Sequence, residues 1–288
     1  MRRNSILSYL HALFLAGFMI LMMVTVPDVK AQSFDHEAYP KLDFDFLSLE
    51  LSLGIQPQNL RIDGEAKYRV KANISGADTL TLYASHLDIS NVSVDGEAAD
   101  FSLQNDSLFV LVDDSTQVGS QYEVNIRYSG RPQFGVLQNG NETMWSSQLP
   151  RAQRHWIPIV DHPQVTLKTT FNISVPSGVQ VWATGAKVGE EVLSVDAMRY
   201  QFASQKEVPA SSLAFAIGGF KNKSASYGEK KINLAVERLL VNEMDSKALL
   251  QSAQDYLRSV EEKLQRQYPF EQMQVVVLED HNGETKSW

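Results

Sequence analysis

The residues best suited to hold a metal ion are the six histidines of this 288-residue chain. No two of them are spaced four apart, and no H-E-x-x-H segment places two ligands and a general base on one helical face. His155 and His162 lie seven residues apart in one tryptophan-rich segment, where they either meet as a metal pair or make separate hydrogen bonds. Hydrogen bonding is the favoured interpretation, because a metal pair also needs further ligands and supporting groups.

Nucleophilic and acid–base chemistry has no complete motif in this sequence. The chain has no cysteine, which excludes disulfides, thiolate catalysis and cysteine-based zinc sites. No G-x-S-x-G segment presents a serine at a strand-to-helix turn, although a triad built from distant residues stays open. Gly218 and Gly219 indicate a turn, and the adjacent carboxylates Asp113 and Asp114 are typical of solvated surface.

The charge of the chain limits its partners. The formal net charge is -8, and because residues 1–31 carry a net +2, the remainder carries -10. An acidic surface disfavours nucleic acid and anionic membranes, since both attract positive charge. The hydrophobic fraction of 43% is ordinary for a globular protein that buries a core. Nucleic acid is therefore excluded as a partner.

The N-terminus has the order of a targeting signal. Arg2 and Arg3 precede an apolar run over residues 12–26, which is followed by short side chains at the cleavage positions. This order predicts a secretory signal peptide over residues 1–31 that is cleaved before Gln32. The alternative is an uncleaved anchor, but a run of about 15 residues is short against the roughly 20 that span a bilayer. Either way, the rest of the chain is expected to be periplasmic, extracellular or attached to the cell envelope, with no stable membrane span after signal removal.

Short runs that alternate apolar and polar residues follow residue 40. Alternation of this kind, punctuated by Gly, Asn and Asp, predicts antiparallel strands with one face toward a core. The predicted strands cover residues 42–51, 64–70, 79–83, 87–94, 108–112, 122–128, 165–175, 179–183 and 213–217. In the first of them the alternation slips by one residue after Phe46, which indicates a bulge or a strand buried on both faces. The expected fold is mainly β, an antiparallel β-sandwich.

Two parts of the chain depart from this pattern. Residues 131–163 contain Trp145, Trp156 and several prolines with little periodicity, which predicts a structured loop. After about residue 221, a strand, a helix and a strand over 274–278 predict a second, α/β unit.

The predicted helix of that unit begins at Met244 or after an N-cap at Asp245, and it ends at Tyr268–Pro269. Its apolar residues recur at spacings of three or four, so they share one face. They are Leu249, Ala253, Leu257, Val260 and Leu264.

Six segments of the sequence follow one another in a recognisable order. They are residues 42–51 (an opening strand), 60–66 (an "L-x-G" hairpin), 126–132 ("Y-x-G"), 154–163 ("A-R-x-x-x-P-C-x-D-x-P"), 209–218 ("P-x-x-x-Y-L-x-A-F-x-x-G") and 268–271 ("Y-P-F/Y"). In this order and at these distances, they resemble the N-terminal domain of the aminopeptidase N family, the alanyl aminopeptidase-like zinc metallopeptidases.

The resemblance implies a division of the chain. Residues 32–221 would form the family's N-terminal β domain, and residues 222–288 the start of its thermolysin-like catalytic domain. It implies zinc in the full-length enzyme, a peptide substrate and the catalytic domain as partner. Because the zinc motif does not occur in this sequence, no cofactor is expected in this chain, which is predicted to be inactive alone. The expected function is the N-terminal portion of an exported aminopeptidase.

The resemblance also places three residues on the substrate side of the tryptophan-rich segment: Gln148, Arg154 and Asp161. Counted back from Pro163, the family acid that helps to hold the substrate amine falls on Leu149. Gln148 then offers a neutral acceptor, which binds an ammonium group more weakly than a carboxylate does. The segment after residue 280 does not match the family's Gly-x-Met-Glu-Asn edge.

A second hypothesis is a secreted, non-catalytic β-sandwich module that binds a peptide or a glycan on a surface around Trp145 and Trp156. Buried tryptophans are the more common case. The DNA that follows the codon for Trp288 separates the two hypotheses, because the peptidase hypothesis expects codons for H-E-x-x-H there.

Overall fold

The computed structural model describes residues 42–113, 115–140, 143–160, 162, 164–279 and 285–287. These residues form twenty strands and one α-helix, α1 (Ser246–Leu264). The strands are β1 (Phe44–Gln56), β2 (Arg61–Ala72), β3 (Thr79–Tyr83), β4 (Leu87–Val94), β5 (Glu97–Ala98), β6 (Phe101–Gln104), β7 (Ser107–Leu111), β8 (Gln121–Gly130), β9 (Val136–Asn139), β10 (Thr143–Ser146), β11 (Thr166–Pro176), β12 (Gln180–Ala183), β13 (Ala186–Ser194), β14 (Ala197–Ala203), β15 (Val208–Pro209), β16 (Phe215–Gly218), β17 (Phe220–Tyr227), β18 (Lys230–Glu237), β19 (Gln272–Glu279) and β20 (Thr285–Ser287).

Nine strands form the largest sheet, with the path β13-β14-β11-β1-β2-β8-β4-β5 and with β15 added beside β11. The neighbouring strands are antiparallel except for β1 and β11, which run parallel. In β1 the register shifts between Phe46 and Ser48, and the buried positions change parity there. The predicted slip is therefore a bulge.

Three smaller sheets have the orders β12-β16-β10-β9, β3-β7-β6 and β17-β18-β19-β20. One contiguous apolar core joins the first two of these to the nine-stranded sheet. The mainly β fold with antiparallel sheets is confirmed. The prediction of a loop over residues 131–163 was wrong for β9 and β10. All four residues of β10 are buried, so the strand lacks the alternation that identifies a half-buried strand.

A smaller core forms where α1 packs on β17 and β18, with Leu250 and Leu257 as its buried helical side chains. The parallel strands β18 and β19 flank α1 in sequence, as the predicted strand–helix–strand order requires. Leu264, which the spacing placed on the apolar face, is 65% exposed. The helix ends at Leu264 because Gln265 adopts the left-handed conformation, with φ of 51°, before the predicted end at Tyr268. Among the described helices, none has the length and apolar character to cross a membrane.

The N-terminus of α1 is capped by Asp245, as predicted. Its carboxylate accepts hydrogen bonds from the backbone N–H groups of Lys247 (2.8 Å) and Ala248 (3.3 Å). We expect Asp245→Ala to lower the free energy of unfolding by about 1 kcal/mol, because both N–H groups lose their acceptor. Urea denaturation followed by circular dichroism measures this loss. Asp245→Asn keeps a side-chain oxygen and serves as the control, and equal stability of the two variants would contradict the capping role.

Candidate functional site

The segment over residues 147–160, here called the central loop, is fixed to the nine-stranded sheet by two buried tyrosines. The Tyr68 hydroxyl donates to the Pro158 carbonyl at 2.5 Å, and the Tyr128 hydroxyl donates to the Trp156 carbonyl at 3.0 Å. From the other side, Phe215 of β16 packs edge-on against the Trp156 ring, with centroids 5.0 Å apart. The central loop is therefore held between two sheets, and its Trp156 and Pro158 carbonyls are satisfied by hydroxyl groups from the nine-stranded sheet.

A glycine makes room for one of these tyrosines. Gly64 in β2 lies opposite Tyr128 in β8, and a Cβ at Gly64 would come within 2.2 Å of the Tyr128 Cζ atom. The glycine of the "L-x-G" segment, the tyrosine of the "Y-x-G" segment and the Trp156 carbonyl of the central loop thus form one packing unit. In the sequence, the three appear as separate motifs.

Because of these two tyrosines, the free energy of unfolding is expected to depend on pH in the alkaline range. Burial raises the pKa of Tyr68 and of Tyr128 well above the usual value. A raised folded-state pKa means that their contribution is complete below about pH 10, where an unfolded phenol stays protonated, and is lost as the pH rises beyond it. We expect the urea midpoint to fall above about pH 10 and to fall less steeply in Tyr68→Phe.

The Tyr68→Phe variant also loses about 1–3 kcal/mol at neutral pH, because the buried Pro158 carbonyl is left without its donor. Tyr256→Phe is the matched control, since Tyr256 is 64% exposed. An alkaline slope in Tyr68→Phe equal to that of the unmodified protein would count against this role of Tyr68.

Gln148, the predicted neutral acceptor, is exposed and lines a cavity of about 320 Å³. The same cavity is lined by three aromatic residues, Trp182, Tyr268 and Phe270. Leu149 is 56% exposed and does not line this cavity. Gln148 is therefore the residue of this pair that can meet a molecule in the cavity.

Arg154 lies in different surroundings. Its guanidinium carbon lies 4.3 Å from the centre of the Tyr83 ring, and its backbone carbonyl accepts a hydrogen bond from the Ser85 N–H at 2.8 Å. The side chain is half-buried and is absent from the lining of the Gln148 cavity. The structure thus does not bring Gln148 and Arg154 into one cavity, and Asp161, the third predicted residue, lies outside the described residues.

His155 stacks against His86, which sequence reasoning did not single out. The two ring centroids are 6.2 Å apart with planes at 15°, and Phe134 packs edge-on against His155 at 4.9 Å. Burial lowers the pKa of His155, and the neighbouring His86 lowers it further. This pairing favours the neutral form of His155.

His162 makes a different contact, because its Nδ1 atom accepts a hydrogen bond from the Gln164 N–H at 3.3 Å. Among the described residues, no three His, Cys, Asp or Glu side chains form a group that could hold a metal ion. The side chains that the structure describes do not fit a zinc ion.

The second hypothesis placed two tryptophans on an exposed binding surface, and the structure places them in the core. Trp145 and Trp156 are 3% and 0% exposed, so the proposed binding surface around them was wrong. Trp182, which sequence reasoning did not select, is partly exposed beside the cavity. The alternation of β12 contains the signal: Trp182 shares its face with the polar Gln180, while Val181 and Ala183 point to the core.

The model of the peptidase M1 N-terminal domain family matches residues 40–211. The chain belongs to this family. The predicted membership in the aminopeptidase N group of zinc metallopeptidases is thereby confirmed for this domain. The match covers all three elements of the packing unit, Gly64, Tyr128 and Trp156.

Relatives of this M1 N-terminal domain include two fungal enzymes. Leucine aminopeptidase 2 from Saccharomyces cerevisiae is 27% identical over 190 residues, which cover 61% of this chain and 28% of that protein. Leucine aminopeptidase 2 from Yarrowia lipolytica is 29% identical over 164 residues, covering 52% and 24%. The chain therefore spans about a quarter of the curated relatives that it matches.

The likeness to one solved structure covers more of this chain than the sequence matches do. The M1 zinc metallopeptidase from Deinococcus radiodurans, in a mutant form bound to a Tyr-Ser-Ala substrate, superposes with a TM-score of 0.74 at 18% identity. The superposition covers 86% of this chain and 62% of that one. At this identity, the likeness is one of fold.

Proposed function

We propose that this chain is the N-terminal portion of an exported zinc aminopeptidase that releases N-terminal amino acids from peptides. The observation that carries the proposal is the extent of the shared fold. The family model ends at residue 211, whereas the likeness to the M1 metallopeptidase covers 86% of the chain. This coverage is larger than the N-terminal domain alone, so it also includes elements that follow it in sequence.

The proposed organisation has three parts. Residues 1–31 are a signal peptide cleaved before Gln32, residues 32–221 are the β domain, and residues 222–288 begin the catalytic domain. The remainder of the catalytic domain is the partner that this portion packs against, and the peptide substrate is reached through it. The mature protein would be periplasmic, extracellular or attached to the cell envelope.

The proposed role of the β domain is to wall the substrate side of the active site. Gln148 would offer its amide oxygen to the substrate ammonium group, while Arg154, which lies outside the Gln148 cavity, and Asp161 would contribute to the substrate side of the domain. A neutral amide binds an ammonium group less strongly than a carboxylate, and Leu149 has no polar atom to add. This arrangement predicts weaker recognition of the free amine than in enzymes with an acid at that position.

Zinc chemistry is assigned to residues outside this chain. The sequence has no H-E-x-x-H segment, and the described residues contain no set of ligands that fits a metal ion. In the complete enzyme, zinc supplies an activated water for peptide hydrolysis. The residues of this chain therefore position substrate and do not activate the water.

The proposal is tested with the 288-residue chain expressed in a bacterium and recovered from the periplasm. We expect no stoichiometric zinc by elemental analysis and no release of p-nitroaniline from leucine or alanine p-nitroanilide. N-terminal sequencing is expected to start at Gln32, and the DNA beyond the codon for Trp288 is expected to encode H-E-x-x-H. Turnover with one zinc per chain would overturn the assignment of the metal site, and a downstream frame without the motif would overturn the peptidase proposal.

A further inference from the structure

A second cavity, of about 530 Å³, lies beside the one that Gln148 lines. The two cavities share Trp182, Gln272 and Gln274. The second is lined by residues of six strands, β12, β13, β14, β17, β18 and β19. The second cavity is here called the Trp182 groove.

Side-chain amides line this groove in fixed orientations. Asn222 donates its Nδ2 hydrogen to Gln180 Oε1 at 2.9 Å, and Asn233 donates to Gln272 Oε1 at 2.9 Å. The opposite ends, Oδ1 of both asparagines and Nε2 of Gln272, have no protein partner among the described residues. The groove therefore presents acceptors and a donor that are already oriented by the protein.

The charges of the groove are largely neutralised within the protein. Lys187 Nζ contacts Glu190 Oε2 at 2.5 Å and lies 4.9 Å from the centre of the Tyr200 ring. Lys187 and Lys231 are both exposed, and Lys231 makes no ion pair among the described residues. Because Lys231 is open to solvent, a ligand needs no opposite charge to match these walls.

Trp182 supplies an apolar surface at the junction of the two cavities. Ligand sites combine such aromatic surface with a few polar groups that fix orientation. The ring of a sugar has an apolar C–H face, and each of its hydroxyl groups both donates and accepts hydrogen bonds. An aromatic side chain flanked by oriented amides matches both properties of a sugar.

We propose that the Trp182 groove binds a neutral oligosaccharide. One sugar ring lies against Trp182, and hydroxyl groups of the sugar contact the free amide ends of Asn222, Asn233 and Gln272. This binding is distinct from peptide hydrolysis and requires no zinc, and Asn222, Asn233 and Gln272 come from the segment proposed to begin the catalytic domain.

The test is titration calorimetry of the 288-residue chain, produced without glycosylation, with neutral hexasaccharides of glucose, N-acetylglucosamine, mannose and xylose. At least one is expected to bind with a Kd of about 1 mM or tighter. Trp182→Ala is expected to weaken that binding at least about tenfold, because the aromatic anchor is lost. Asn222→Ala is expected to weaken it about fivefold. Tyr256→Ala, which removes an exposed aromatic residue outside the groove, leaves the Kd unchanged.

Three results would overturn the proposal: no hexasaccharide binds with a Kd of about 1 mM or tighter, the Kd is unaffected by both groove substitutions, or a blocked, uncharged hexapeptide binds more tightly than every sugar. Thermal unfolding verifies the fold of each variant. Since Asn222 is exposed on β17, its substitution tests the site even if Trp182→Ala is unstable.

Discussion

Gly64→Ala is expected to destabilise the protein by about 3 kcal/mol, although it adds a single methyl group. The new Cβ would lie 2.2 Å from Tyr128 Cζ and 2.5 Å from the phenolic oxygen. Tyr128 is 3% exposed and hydrogen bonded to the Trp156 carbonyl, so the ring cannot swing away without leaving that carbonyl unsatisfied. The loss is measured as a lower free energy of unfolding in urea.

Gly54→Ala is the matched control for this substitution. Gly54 lies in the adjacent strand β1, and a Cβ there meets nothing closer than the Asp63 carbonyl oxygen at 3.8 Å. A change within a few tenths of a kcal/mol is expected at Gly54. In a Tyr128→Ala background, Gly64→Ala adds little further loss, because the ring that the methyl meets is gone. Additive losses in the double variant would refute the packing unit of Gly64 and Tyr128.

Trp156→Ala is expected to lower the free energy of unfolding by about 3–5 kcal/mol. The Trp156 side chain is fully buried and packs on Phe215, so its removal leaves a cavity between the central loop and β16. The Trp156 backbone carbonyl still accepts from Tyr128, but the loop loses the side chain that fills the space beneath it. Urea denaturation measures the loss, and hydrogen exchange of the central-loop amides is expected to become faster.

Trp156→Phe distinguishes the effect of lost side-chain volume on stability from the effect of losing the indole N–H group. The indole Nε1 atom of Trp156 is buried without a hydrogen-bond partner among the described residues. Phenylalanine keeps an aromatic ring and removes this unsatisfied donor, so its loss is expected to be well below that of Trp156→Ala. Equal losses in the two variants would contradict the cavity explanation.

The elements that the sequence predicts well are those set by local pattern. Alternation in β1 predicts both the strand and its bulge after Phe46, because side chains of a strand alternate between faces. Asp245 is identified as a helix cap because its short carboxylate reaches the first free N–H groups. Strand β10 could not be predicted in the same way, because both of its faces are buried and its residues do not alternate between apolar and polar.

Contacts between distant strands could not be predicted in this way. Gly64 and Tyr128 face each other only because β2 and β8 pair in one particular register, which no local pattern gives. The cavity lined by Gln148 likewise depends on Tyr268 and Phe270, more than a hundred residues later in the chain. Gln148 was selected through the family resemblance, and its substrate role stays a prediction, as do those of Arg154 and Asp161.

The parallel pairing of β1 with β11 limits the order in which the strands of the nine-stranded sheet can assemble. Ser48 is matched with Lys168, so β1 pairs on this edge with a strand that is synthesised more than a hundred residues later. Until then, one hydrogen-bonding edge of β1 is open to other chains. Distant pairings of this kind slow folding, so this edge of β1 is expected to stay open longer than the edge that pairs with β2.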